Sequence, residues 1–266
     1  MSIKALRRSA FLAVFWIILL FVTLTTATYA WFTISATTNV EPMSSAVSEG
    51  DVNLLIAARK DGSFDRQCSL QLTGSPEYLA PVSTADLDKF YEATAQTDKK
   101  LLHGTVYLRS EYRDCDVYLR RAGLDFGNNG QILSALRLGM KITSQGGTQT
   151  LIFRLDELGN TQNAASAVTV SSKGTVVSAV NDTGKATLVK DPAVSLADYL
   201  AVENTENDGH PAAGRQALMH LNVDEVATVE FWLYMEGCDD NCINAAQQKD
   251  TGIQLSFAGV PREEAQ

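Results

Sequence analysis

The chain has 266 residues, with 22 Lys and Arg against 31 Asp and Glu, so its formal net charge is −9 at pH 7. An acidic surface of this kind repels phosphate backbones and anionic lipid, which argues against nucleic-acid binding and against peripheral attachment to acidic membranes. Only six prolines occur, and no low-complexity block or linker divides the chain. We therefore expect one domain after any targeting segment.

The N-terminus has the three parts of a secretory signal. An uninterrupted apolar run of 13 residues, 10–22, follows a basic start and precedes a stretch rich in Thr and Ala. This length suits the apolar region of a signal and is shorter than the roughly 20 residues that a membrane-spanning helix needs. The basic residues are Lys4, Arg7 and Arg8. The segment predicts that the rest of the chain is exported.

The end of this segment allows two outcomes. Thr28 and Ala30 are small residues at the −3 and −1 positions of a signal-peptidase site, which predicts cleavage before Trp31. Alternatively, residues 9–34 stay as an N-terminal hydrophobic helix that anchors the chain in the membrane, with its aromatic residues in the outer interface. Residues 1–36 are therefore a signal peptide or an anchor, and residues 37–266 form an extracellular domain.

The residues after the leader predict mainly short strands, from period-two alternation and from runs of β-branched and aromatic residues. A turn at 145–148 pairs the run 132–142 with 150–154, and Gly139 within that run indicates a bulge or a close backbone approach. Two copies of Val-Tyr-Leu-Arg flank an acidic loop and predict two strands around a turn. The predicted strands are 52–57, 68–73, 106–109, 117–120, 132–142, 150–154, 168–170, 176–180, 186–189, 217–223, 227–235 and 253–257.

Two short helices are predicted in the connections. In 83–93, Ser83 and Asp86 have the spacing of a capping box, and Leu87, Phe90 and Tyr91 share one helical face. The second helix is 195–202. Many short strands with one or two helices between them predict a mainly β fold, an antiparallel β-sandwich.

The four cysteines form an even set that export would expose to oxidation. Cys238 and Cys242 lie in one short polar loop that can close locally, and Cys68 would then pair with Cys115. Three pairings are possible, and free thiols are the alternative. The C-x3-C spacing is poor for zinc, so no metal is predicted.

Single polar and aromatic residues are first interpreted as structural. His103, His210 and His220 are separated and begin no H-E-x-x-H motif, so no catalytic residue and no cofactor are predicted. Trp232, with its neighbours Phe231 and Tyr234, is expected in the core or on a strand face, with a sugar-binding platform as the alternative. Arg137 is expected to face water, with a partner carboxylate inside the sandwich as the alternative.

The acidic loops offer oxygen ligands for calcium, although a solvated acidic turn is the simpler interpretation. The candidate ligands are Asp114, Asp116, Asp239, Asp240 and Asn241.

Several segments resemble TasA/camelysin-like proteins of Gram-positive bacteria that carry a SipW-type signal peptide. The leader resembles theirs at Thr28, Tyr29, Ala30 and the aromatic residues that follow. The other similar segments are 39–42, 52–56, 81–87, 89–91, 232–244 and 253–257. The resemblance implies a jelly-roll-like sandwich, export through a dedicated signal peptidase, and a role at the cell envelope or in a matrix fibre.

These observations favour a non-enzymatic, exported structural protein that self-associates or binds other envelope proteins. Cleavage would free an extended, uncharged, Thr-rich segment, 31–40, for addition to the sheet edge of a neighbouring subunit. The strand-exchange candidates are Trp31, Phe32, Thr33 and Ile34. The alternative is a membrane-anchored adhesin or ligand-binding module with contacts at loops 110–116 and 236–244. A camelysin-like metallopeptidase is the remote alternative.

Overall fold

The structure is a computed structural model. It describes residues 39–44, 53–70, 72–73, 79–92, 95–96, 101–121, 124, 130–155, 174–201, 215–240, 242 and 253–262. The predicted leader, the predicted cleavage-site residues Thr28, Ala30 and Trp31, the exchange candidates 31–34 and the predicted strand 168–170 lie outside these ranges. Within them, no helix is long and apolar enough to span a bilayer.

The described residues are mainly β-strand, which confirms the mainly β part of the predicted fold class. The jelly-roll arrangement stays a prediction, and the predicted N-terminal helix lies outside the described residues. One α-helix, α1 (Gly130–Ala135), and one 3-10 helix, Leu196–Tyr199, accompany the strands. The strands are β1 (Asn39–Ser44), β2 (Leu54–Ala57), β3 (Cys68–Ser69), β4 (Leu72–Thr73), β5 (Pro81–Val82), β6 (Tyr91–Glu92), β7 (Ala95–Gln96), β8 (Leu102–Ser110), β9 (Cys115–Leu119), β10 (Leu136–Ser144), β11 (Gly147–Arg154), β12 (Thr175–Val180), β13 (Ala186–Lys190), β14 (Val194–Ser195), β15 (Met219–Leu221), β16 (Val226–Glu236) and β17 (Ser256–Pro261).

Two large sheets enclose one apolar core. The five-stranded sheet has the order β15-β9-β17-β1-β3, and the eight-stranded sheet has the order β14-β11-β10-β16-β8-β2, with β4 added to β8 and β5 to β16. Alternate residues of β8 are buried along its whole length, as expected for a strand with one face on the core. Val117 and Phe257 of the smaller sheet share the core with Leu138 and Phe231 of the larger one. The arrangement is that of a β-sandwich.

The eight-stranded sheet is buried on parts of both faces. β16, its longest strand, pairs antiparallel with β10 and β8, and every residue of its second half is buried. A second apolar cluster on the outer face contains Leu87 and Phe90 together with Trp232 and Tyr234. We call the segment 81–91 and the β12–β13 hairpin together the outer cover.

The predicted pairing across 145–148 is confirmed as the β10–β11 hairpin, which runs from Arg137 opposite Arg154 to Ser144 opposite Gly147. Gly147 has a φ of +119° at the turn, a conformation that side chains disfavour. The run 132–142 is not one strand, because α1 occupies its first residues. The short helix predicted at 195–202 is confirmed in its middle as the 3-10 helix.

The helix predicted at 83–93 is wrong. Thr84 Oγ1 accepts the backbone N–H groups of Asp86 and Leu87, and Leu87 has a φ of +64°. The hydroxyl therefore closes a local turn, and this turn competes with a helix. Leu87 and Phe90 are still buried together, so the apolar pattern indicated burial correctly and the element type incorrectly.

The two Val-Tyr-Leu-Arg copies do form strands, but these strands do not pair with each other. β8 belongs to the eight-stranded sheet and β9 to the five-stranded sheet. The acidic loop between them therefore crosses from one sheet to the other. The predicted strand 68–73 is likewise divided between the two sheets, as β3 and β4.

Candidate functional site

A cluster of buried charged side chains lies on the outer face of the eight-stranded sheet. Arg137 is on β10, opposite Tyr234 of β16 and Arg154 of β11, and its side chain is 1% exposed. One guanidinium nitrogen, Nη2, lies 2.5 Å from the Asp239 carboxylate. The other, Nη1, donates to the backbone carbonyl oxygens of residues 134 and 136.

The expectation that Arg137 faces water is therefore wrong. Its side chain does point away from the space between the sheets, as strand alternation predicts, since its neighbours Leu136 and Leu138 are in the central core. The outer face is covered at this point, so the guanidinium meets carboxylates instead of solvent. The alternative, a partner carboxylate, is confirmed, although it lies on the outer face of the sheet.

A second carboxylate links the arginine to a neighbouring strand. Asp191 precedes β14 and lies 3.7 Å from Arg137 Nη2 and 3.8 Å from Arg154 Nη2. Its backbone N–H donates to the Gly174 carbonyl, which closes the base of the β12–β13 hairpin. The cluster therefore joins the hairpin to β10 and β11.

Glu236, at the end of β16, is the third carboxyl of this region and is 2% exposed. One oxygen, Oε1, accepts the Cys238 N–H at 3.0 Å, and the other, Oε2, has no hydrogen-bond partner in the described structure. Burial raises the pKa of Glu236 to about 7, against the opposing effects of Ser83, the Cys238 N–H and Arg137. The protein thus encloses a carboxyl group whose pKa is close to neutral pH.

The acidic residues considered for calcium are engaged within the chain. Asp239 pairs with Arg137, and Asp114 accepts the Val223 N–H at 2.8 Å. Within the described residues, no three His, Cys, Asp or Glu side chains are grouped as metal ligands. Asn241 lies outside the described residues.

His220 has a structural environment. Its Nδ1 is 3.1 Å from Asp116 on the neighbouring strand β9, and its Nε2 is 3.4 Å from Arg262. A guanidinium can only donate, so Nε2 accepts and Nδ1 carries the proton that is donated to Asp116. His103 stacks on Trp232 with ring centroids 4.8 Å apart, and burial lowers its pKa.

The C-terminal aromatic residues belong to the packed interior, as predicted. Phe231 lies in the central core, while Trp232 and Tyr234 face the outer cover. Phe90 of the cover contacts Tyr234 edge to face, with ring centroids 5.4 Å apart. These rings are unavailable as a sugar-binding platform.

All four cysteines are free thiols in the structure. Cys68 on β3 and Cys115 on β9 are separated by β17 and β1, so three strand spacings place their backbones about 14 Å apart. That distance is not compatible with a Cys68–Cys115 disulfide in this strand order. Cys238 and Cys242 lie within one turn, and their pairing stays a prediction. Burial raises the pKa of Cys68, Cys115 and Cys242 to about 11.

A cavity of about 610 Å³ opens at one edge of the sandwich. One wall is the tip of the β10–β11 hairpin, 144–149, and the other is formed by 218–220, with no Asp, Glu, Lys or Arg in the lining. Glu225 joins the two walls, since its carboxylate accepts the Gln145 N–H and both the N–H and the side-chain amide of Asn222. The lining combines hydroxyl and carboxamide groups and the His220 imidazole with an apolar floor, a mixture that is found in small-ligand pockets.

Sequence reasoning missed Asp191, Glu225 and Glu236 as buried carboxylates. Glu236 continues the apolar run of β16, and a carboxylate inside such a run is the one signal of burial that the sequence contained. Nothing near Asp191 or Glu225 distinguishes either residue from an exposed loop acid.

No protein-family model matches the sequence, and no curated protein matches it.

Proposed function

We propose that the protein is exported and acts as a non-enzymatic structural subunit of the cell envelope or extracellular matrix, assembling by addition of its N-terminal strand to a neighbouring copy. The position of β1 supports this proposal most directly. β1 lies between the C-terminal strand β17 and β3, so the first described strand after the leader completes the five-stranded sheet.

The pairing of β1 is of a kind that a second copy can reproduce. It is parallel to β17 over four residues, Glu41–Ser44, and antiparallel to β3 at Asn39 and Val40. Backbone hydrogen bonds hold such a strand without a special side-chain code, and the same strand from another subunit makes identical bonds. Exchange therefore replaces backbone hydrogen bonds within one subunit by the same bonds between two subunits. In this way it links one subunit to the next.

Pro42 lies in the part of β1 that has only one neighbouring strand. It pairs with Phe257 of β17 at a point where β3 no longer runs beside β1. A proline has no N–H to donate, so it is tolerated where a strand has one neighbour. The two-sided part of β1, Asn39 and Val40, is the part continuous with the exchange candidates 31–34.

Deletion of residues 31–40 from the mature chain tests the proposal. We expect the chain that begins at Trp31 to form fibres or higher oligomers and the chain that begins at Glu41 to remain a folded monomer, as measured by light scattering and electron microscopy. A chain with 31–40 replaced by ten Gly and Ser residues is the length-matched control and should also be monomeric. Fibres from either altered chain would contradict strand addition.

A second candidate function is a membrane-anchored adhesin or ligand-binding module. The cavity between the β10–β11 hairpin and β15 favours it, because its volume is within the range of roughly 300 to 1,000 Å³ of small-ligand pockets. This function needs the leader to remain attached in the mature protein.

A further inference from the structure

We propose that Glu236 is a proton-dependent latch, which holds the outer cover on the eight-stranded sheet while it is protonated and releases the cover when it ionises. Such a latch regulates the fold and does not depend on strand addition.

The carboxyl of Glu236 lies where the two parts of the cover meet the sheet. β5 pairs with the end of β16, with Val82 opposite Glu236, and the Gly237 N–H donates to the Val82 carbonyl at 2.8 Å. The Ser83 hydroxyl oxygen accepts the Val177 N–H of β12 at 2.9 Å, and Ser83 lies near enough to the Glu236 carboxyl to lower its pKa. The Ser83 hydroxyl therefore connects the 81–91 segment to the hairpin, next to the Glu236 carboxyl.

The charges of the surrounding elements balance only while Glu236 is neutral. Arg137 of β10 and Arg154 of β11 face two carboxylates, Asp191 before β14 and Asp239 after β16. Ionised Glu236 adds a third negative charge, and none of the neighbours recorded for this cluster in the described structure is a third cation. Other titratable neighbours are Tyr234, Cys242 and the adjacent Cys238, whose phenol and thiol groups are neutral in their usual state.

Burial makes the extra charge costly, and one carboxyl oxygen has nothing to stabilise it. Oε2 is buried with no hydrogen-bond partner in the described structure, so an anion there would lack both water and a donor. Arg137 binds Asp239 through Nη2 and two backbone carbonyls through Nη1, and its buried Nε makes no hydrogen bond to Glu236 in the described structure. Ionisation is therefore relieved most simply by lifting the cover and admitting water.

The direction of the pH effect follows from the raised pKa. Protonation is favoured in the closed state, with a pKa of about 7 against the ordinary 4.5 once the carboxyl is exposed. The stabilisation is complete below pH 4.5 and is lost as the pH rises through about 7. From pH 5.5 to 8.5, these two values predict a loss of protection in the cover of roughly 30-fold.

Amide hydrogen exchange of Val177 and Tyr91, corrected for intrinsic rates, tests the latch, because both N–H groups are bonded to Ser83. We expect wild-type protection at these amides to fall roughly 30-fold from pH 5.5 to 8.5. Glu236→Gln, which mimics the protonated carboxyl, should show constant protection over this range. Glu230→Gln, a change on the same strand outside the cluster, should keep the wild-type profile.

Constant protection in the wild type, or an unchanged pH dependence in Glu236→Gln, would overturn the latch. If the Gln variant does not fold, the carboxyl ¹³C shift of Glu236 in the wild-type chain decides. An inflection near pH 7 supports the latch, and one at or below pH 4.5 overturns it.

Discussion

Arg137 shows how a single buried residue depends on what covers it. Its guanidinium lies in the interior of the protein, and its charge is compensated by Asp239, which is also inaccessible to solvent. A buried pair of this kind contributes little beyond a packed apolar pair of the same volume, but removing one partner leaves an uncompensated charge. The pair therefore affects the free energy of unfolding mainly when one of its two partners is removed.

Replacement of Asp239 by Asn should destabilise the protein by about 3 kcal/mol, because Arg137 loses its nearest anion while remaining buried. Urea denaturation at pH 6 measures the change in the free energy of unfolding. The matched control is Asp61→Asn, since Asp61 pairs with Arg59 at the exposed surface, and we expect a loss below about 1 kcal/mol there. Equal effects of the two substitutions would contradict the account of the cluster.

Glu225 should support stability in the opposite pH range from Glu236. Burial opposes its ionisation, but the Gln145 and Asn222 donors outweigh burial, so its pKa is below the ordinary 4.5. Its contribution is present above pH 4.5 and is lost as the pH falls through the lowered value. We expect Glu225→Gln to cost about 1–3 kcal/mol at pH 6 and to weaken the acid-induced decline in stability, both measured by urea denaturation.

At the scale of elements, the 81–91 segment of the outer cover lies very close to the backbone of β10 at Gly139. A Cβ added to Gly139 would lie 2.5 Å from Leu87 Cδ2 and 2.8 Å from Leu87 Cδ1. Leu87 is held by a turn with positive φ and by Phe90, so its side chain has little room to move. The glycine thus allows the 81–91 segment to pack directly on the sheet.

Gly139→Ala should therefore destabilise the protein by about 1–3 kcal/mol. Gly146→Ala is the control, because its new Cβ would meet only Ser144 Oγ at 3.5 Å, an ordinary contact. In the Gly139→Ala background, Leu87→Ala should cost less than it does in the wild-type chain, since it also removes the overlap. Additive losses in this double-mutant cycle, measured by urea denaturation, would contradict the direct contact.

The elements predicted correctly are those in which local pattern and burial agree. β8 and β16 alternate or run apolar and pack on the core, and Gly147 marks the turn of the β10–β11 hairpin. The predictions failed where a distant segment decides the outcome. Arg137 is buried by residues about 100 positions away, and at 83–93 the Thr84 hydroxyl forms a turn from residues that also fit a helix cap. After β8 the chain passes from one sheet to the other. This depends on how the core packs, and the repeated Val-Tyr-Leu-Arg residues do not indicate it.

At the scale of the whole molecule, Glu225 and Glu236 together predict how stability depends on pH. Stability should decline below pH 4.5, where Glu225 becomes protonated, and should also decline as the pH rises toward and through 7, where Glu236 loses its proton. Urea midpoints from pH 4 to 9 measure both declines. Glu236→Gln should abolish the neutral-to-alkaline decline only, and a midpoint that rises with pH across 5–8 in the wild type would contradict this prediction.

The position of β1 in the whole molecule also determines what strand exchange requires. β1 occupies an internal position of the five-stranded sheet, so residues 39–44 are part of the fold. Release of the leader would give this strand a free end, and retention would fix that end to the membrane. The proposed strand exchange therefore depends on the bond between Ala30 and Trp31.

Intact-mass measurement and N-terminal sequencing of the protein purified from the cells that naturally produce it test this point most directly. Strand exchange predicts a mature chain that begins at Trp31, with the leader absent. A mature chain that still begins at Met1 or Ser2 would contradict the released subunit and leave a membrane-tethered surface protein in its place.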